Sequence, residues 1–123
     1  TLTNPCPPKT QQVVPGVCFV TRWGSYGTGD GQFRSVAGID VDSSGYVYVT
    51  DAVNHNIQKF TNDGTFVTRW NNCNTNAGPQ SGDGQFKFPY KIEVYPSGNV
   101  IYVSDFHNMR VQKFAQKAFF AAS

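Results

Sequence analysis

The sequence predicts an all-β fold built from two four-stranded antiparallel units, and three observations carry that prediction. The first is that the chain repeats itself. Phe19–Trp23 (FVTRW) recurs letter for letter as Phe66–Trp70, and Gly29–Phe33 (GDGQF) recurs as Gly82–Phe86. VYVTD ending at Asp51 is answered by IYVSD ending at Asp105, and Gln58-Lys59-Phe60 by Gln112-Lys113-Phe114. The second is that each copy divides into short apolar-alternating runs bounded by Gly, Asn, Asp and Ser. The third is compositional: Leu2 is the only leucine and there is one Met, too few for a helical bundle, whereas ten Phe, six Tyr and two Trp suit packed sheets.

The 123 residues allow one ordinary domain or a piece of a larger one. With 39% hydrophobic, 15% aromatic and 15% charged residues, disorder driven by charge is excluded. No apolar run approaches the roughly eighteen residues of a bilayer span. A net charge of +2 is too mild to indicate nucleic-acid binding, and none is expected.

Taken in order, Thr1–Gly16 holds Pro5, Pro7, Pro8 and Pro15 and reads as an extended N-terminal arm rather than a ladder strand, because proline fixes φ and lacks a donor. The chain opens at Thr1 without Met or an apolar leader, which fits a processed secreted protein and equally a cut-out piece. Cys6, Cys18 and Cys73 show no metal spacing; in an oxidising compartment Cys6 could pair with Cys18 or with Cys73, leaving one thiol over.

A first strand is expected at Phe19–Trp23 and its mirror Phe66–Trp70. The second lies near Ala37–Val41 and Lys91–Val94, the third at Tyr46–Thr50 and Val100–Ser104, and the fourth at Ile57–Phe60 and Val111–Phe114. Asn62-Asp63-Gly64 is a tight-turn signal back into the repeated FVTRW. The copies are 47 residues apart at Trp23 and Trp70 but 54 apart at Asp51 and Asp105, so the second carries extra residues after Trp70 and near Gly98. Both additions fall in turns, where insertion is tolerated. The units are thus expected as 1–16 (arm), 17–65 (outer strand plus first blade), 66–118 (outer strand plus second blade) and 119–123 (tail or the start of a further strand).

Four strands per forty-to-fifty-residue repeat is the pattern of propeller blades. The strings GDGQF, GIDVDSSGYVYVTDAVNHNIQKF and NDGTFVTRW, with the second copy GDGQFKFPYKIEVYPSGNVIYVSDFHNMRVQKF, resemble the NHL repeat of β-propellers over roughly Val17 to Phe114. The resemblance implies that the FVTRW-type strand lies outermost. A propeller closes with about four or more blades, and two leave apolar flanks open to water at roughly 25 cal/mol per Å². The flanks are then covered by further blades: copies closing a ring, copies growing head to tail as a filament, or blades of a longer chain. Phe19, Val20, Thr21, Arg22 and Trp23 are the candidate inter-chain strand clasp.

Other constellations have plainer readings. Asp40-x-Asp42-x-Ser44-Gly45 resembles the start of a calcium loop, but its twin, Glu93 to Gly98, loses the second carboxylate, so a hairpin turn is expected. The glycine strings at Gly27–Gly31 and Gly82–Gly84 lack the Lys-Ser/Thr of a phosphate loop. Asp51 and Asp105, each with an Asn three residues later (Asn54, Asn108), read as turn-satisfying side chains. His55 and His107 sit at non-equivalent positions, and no catalytic residue, metal set or cofactor is nominated. The insertion 71–81, with Asn72, Asn74, Asn76 and Gln80, is expected as an exposed binding loop.

Together these readings describe a non-catalytic, secreted or cell-surface module for self-assembly or for binding protein or glycan. The resemblance implies two alternatives: part of a lyase-like NHL enzyme, or an RNA-binding NHL propeller using a basic face such as Arg22, Arg69, Lys59, Lys113 and Arg110.

Overall fold

The computed structural model describes residues 6–71 and 81–116. Cys73, the loop residues Asn72, Asn74, Asn76 and Gln80, and the tail 119–123 lie outside the described residues. Among the described residues there is no α-helix, only a 3-10 turn at Phe106–Asn108.

The first element among the described residues is a hairpin, where an unladdered arm was expected. β1 (Gln11–Val14) pairs antiparallel with β2 (Val17–Phe19) around Pro15-Gly16. The prolines flank a proline-free QQVV run, and Gly16 adopts φ 83°, the left-handed value a Pro-Gly turn requires. Cys6 and Cys18 are joined by a disulfide across this hairpin, one of the two pairings open in the sequence. The strand expected at Phe19–Trp23 ends at Phe19: residues 20–23 find no ladder partner among the described residues. A short parallel pair follows, β3 (Ser25–Tyr26) with β4 (Gln32–Phe33), holding the GDGQF loop between them.

The first blade is a four-stranded antiparallel sheet in the order β5 (Val36–Val41), β6 (Val47–Asp51), β7 (Asn56–Phe60), β8 (Phe66–Asn71). The repeated FVTRW therefore forms one edge of this sheet, with Ile57 opposite Trp70 and Gln58 opposite Arg69. The second blade contains three strands among the described residues: β9 (Pro89–Val94), β10 (Val100–Asp105) and β11 (Arg110–Ala115), with β10 central. Four strands were expected here. The FVTRW copy that precedes this blade in sequence is hydrogen-bonded into the first sheet instead.

The sheets stack face to face. Ile92, Val94, Ile101 and Val103 of the second pack against Tyr48 and Ile57 of the first, with Phe86 filling the outer end. On the other side of the first sheet Val47, Val49 and Phe60 are covered by Trp23, Phe33 and Phe66. Trp23 packs on Phe60 (centroids 5.6 Å apart) much as Trp70 packs on Phe114 (6.0 Å). Each FVTRW tryptophan thus reaches into the blade that follows it.

Candidate functional site

The turns come first, because they hold most of the repeated polar residues. Gln58 and Gln112 are equivalent and do equivalent work. Gln58 Oε1 accepts the Gly31 N–H (2.8 Å) and its Nε2 donates to the Gln32 carbonyl (2.7 Å); Gln112 does the same with Gly84 (2.8 Å) and Gln85 (2.7 Å). The side chains of Gln32 and Gln85 in turn accept the N–H groups of Gly29 and Gly82. GDGQF is thus a loop clipped to its own blade, with Gly31 and Gly84 at φ 76° and 74° where an L side chain is strained.

Asp51 is fully buried and accepts five hydrogen bonds, from the N–H groups of Arg34, Ser35, Val53 and Asn54 and from Asn54 Nδ2, at 2.8–3.1 Å. Its twin Asp105 accepts from the Lys87 N–H, Asn108 Nδ2, Gln112 Nε2 and Arg110 Nε, the last a 2.8 Å ion pair. These carboxylates bind the loop entering each blade to the turn after its second strand. Asp40 and Asp42 are likewise committed. Asp42 accepts the Ser44 and Tyr46 N–H groups and the Tyr48 hydroxyl; Asp40 accepts the N–H groups of Val41 and, across the blades, Val94. Among the described residues no three His, Cys, Asp or Glu side chains gather as a metal set.

Between the blades sits a buried polar group that the sequence did not flag. The Tyr48 hydroxyl, 2.9 Å from Asp42, also accepts from Gln116 Nε2, whose amide oxygen accepts from Lys59 Nζ at 3.0 Å. Burial, opposed by the Gln116 donation and reinforced by Asp42, pushes the Tyr48 phenol up to about 12. Burial also lowers the Lys59 ammonium from its ordinary value, against the pull of Asp42. Tyr48 thus stays a neutral donor tying the first blade's turn to the end of the second.

Among the described residues the two outer flanks differ in exposure from the faces that meet between the blades. In strand register Ile39 opposes Val49 as Ile92 opposes Val103, and Val41 opposes Val47 as Val94 opposes Ile101. Yet Ile39 is 63% exposed where Ile92 is 3%, and Val41 48% where Val94 is 8%. The near flank of the first blade, a depression lined by Arg22, Trp23, Phe33, Val36, Ile39 and Val49, therefore leaves exposed Ile39, whose equivalent in the second blade, Ile92, is buried. The far flank of the second blade is a depression lined by Lys91, Glu93, Tyr102, Ser104 and Val111. Val111 stands 69% exposed there, while its counterpart Ile57 is fully buried against the second blade. Of the candidate clasp, Phe19 lies in β2, Val20, Thr21 and Arg22 are exposed, and Trp23 lines the near flank. A separate aromatic cluster of Phe88, Tyr90, Phe106 and His107 lines a pocket with Ala52 beside the turns.

Against known proteins, the NHL repeat family model matches residues 33–60. The chain is similar to protein brain tumor of Drosophila melanogaster, 27% identical over 99 residues that cover 80% of this chain and 9% of that protein. It is similar also to NHL repeat-containing protein 3 of Homo sapiens, 41% identical over 66 residues, 51% of this chain and 19% of that protein. The chain thus spans less than a fifth of the length of the curated relatives it matches.

Proposed function

Starting from a chain that carries an NHL repeat, we propose that it is a non-catalytic assembly module whose open flanks associate with further blades, those of other copies included. One observation carries this reading: Ile39 and Val41 lie exposed on a flank whose repeat equivalents, Ile92 and Val94, are buried by a neighbouring blade. Exposed apolar side chains grouped on one sheet face favour association, because covering them removes apolar area from water. The absence of catalysis belongs to the same proposal, supported by the commitment of Asp40, Asp42, Asp51 and Asp105 to structural hydrogen bonds. A secreted or cell-surface setting is supported by the Cys6–Cys18 disulfide. Protein or glycan ligands remain part of the proposal.

The RNA-binding alternative draws support from the Phe88, Tyr90, Phe106 and His107 cluster beside Lys87, since aromatic faces stack bases. The net charge of +2 favours the flank reading over it.

Sedimentation of the full chain over a wide concentration range tests the assembly reading. The expected result is growth from 13.6 kDa toward multiples of that mass, suppressed by Ile39→Asp. A 13.6 kDa species at every concentration would overturn it.

A further inference from the structure

We infer that Lys91 is the residue that sets how closely a second copy can seat on the far flank of the second blade; the inference rests on the assembly reading above. The internal contact between the blades supplies the template. At Gly38 the two backbones come so close that an added Cβ would meet the Tyr90 carbonyl oxygen at 2.6 Å and Lys91 Cα at 3.3 Å. Around this point Thr50 Oγ1 accepts the Gly38 N–H at 2.7 Å and donates to the Tyr90 carbonyl at 2.7 Å. One turn of the pleat away, the Asp40 carboxylate accepts the Val94 N–H.

The far flank repeats this donor set almost residue for residue. Ser104 takes the place of Thr50 and accepts the Lys91 N–H at 2.9 Å, as Thr50 accepts that of Gly38. Glu93, opposite Tyr102, takes the place of Asp40, opposite Tyr48. The near flank of another copy offers the complementary half. Ala37 stands where Tyr90 stands, and Val41 where Val94 stands. Laid on the template, Ser104 donates to the Ala37 carbonyl, Glu93 accepts the Val41 N–H, and Ile39 is covered as Ile92 is.

A single position on this seat breaks the match. Where the internal contact needs Gly38, the far flank has Lys91. On the template its Cβ takes the place of the one that, added at Gly38, meets the backbone carbonyl oxygen of Tyr90, and a backbone oxygen cannot swing away as the end of a flexible side chain can. The ammonium beyond it must also stay in water. Lys91 thus keeps the second copy off the closest spacing while leaving the rest of the seat intact, which weakens association without abolishing it.

The test is sedimentation of the full chain as wild type, Lys91→Gly and Lys91→Ala, with melting curves recorded alongside. Lys91→Gly is expected to associate at about tenfold lower concentration, a gain of roughly 1.4 kcal/mol, and adding Ile39→Asp should remove the gain. Lys91→Ala keeps the Cβ and should gain much less than Lys91→Gly. If Lys91→Gly folds and associates no more tightly than wild type, or if Lys91→Ala gains as much, the inference is overturned. A wild type that stays monomeric while Lys91→Gly associates supports the inference and sinks the assembly reading; a wild type that associates equally with Lys91→Gly does the reverse. Gly38→Ala keeps the inference open to refutation if Lys91→Gly fails to fold. It should lower Tm by about 5 °C or more, and an unchanged melt means a Cβ at this position blocks nothing.

Discussion

The two blades are near copies in sequence, yet equivalent residues live in different environments. Asp51 and Asp105 are both buried and both organise a turn, but one is served by backbone and Asn donors and the other by an arginine as well. Ile92 is core and Ile39 is surface. His55 is buried in its turn, whereas its twin Met109, at φ 55° against 58°, is 86% exposed. The difference teaches that the repeat specifies the blade and its turns, while the neighbour decides which flank becomes interior.

The largest effect should come from the element the copies share. Asp51→Ala removes the acceptor for four backbone N–H groups and one Asn amide in a buried turn. Each buried donor left unpaired costs on the order of 1–3 kcal/mol before water compensates. Urea unfolding should show a loss of about 3 kcal/mol or more. A loss below about 1 kcal/mol would mean the turn relaxes into solvent and the shared carboxylate is not what fixes the blade.

Much of this was legible in sequence, and the remainder was not for specific physical reasons. Strand positions, the hairpin at Asp42–Gly45 and the structural role of Asp51 and Asp105 follow from alternation and turn chemistry, which are local. The β1–β2 hairpin was hidden because proline density masked the short QQVV run. Sheet membership of FVTRW is a matter of pairing, and Val20–Trp23 has no ladder partner among the described residues. The clipping of GDGQF by Gln58 and Gln112 joins segments 27 and 28 residues apart, so each repeated string was visible and the link between them was not. Gly38 and Lys91 stand at equivalent positions only once strand register is known.

The second effect sharpens the contrast between flanks. Ile92→Ala opens a cavity between the blades and should cost about 2–4 kcal/mol in urea unfolding. Ile39→Ala, the same truncation at the equivalent position, should change the monomer by less than about 0.5 kcal/mol. Equal losses would show that the near flank is already covered in solution, and the exposure of Ile39 would no longer argue for a partner.

The smallest effect separates His55 from Met109 and is read through pH. Neutral His55 accepts the Phe88 N–H at Nδ1 (3.0 Å), with its ring edge-on to Phe88 at 4.8 Å. Burial lowers its pKa below the ordinary 6.5; Asp51 opposes the shift and Arg34 adds to it. The unfolded chain therefore binds a proton near pH 6.5 that the folded chain refuses until lower pH. Stability is held above 6.5, falls as pH drops below that value, and levels off once the folded imidazole also protonates. Protonation at Nδ1 breaks the Phe88 hydrogen bond, so wild type should lose about 1 kcal/mol between pH 7.5 and 5.5. Asparagine tolerates the left-handed backbone that His55 adopts, so His55→Asn should fold and lack this component. Melts at the two pH values decide it: an equal loss in His55→Asn would assign the pH dependence elsewhere and leave the two turns alike.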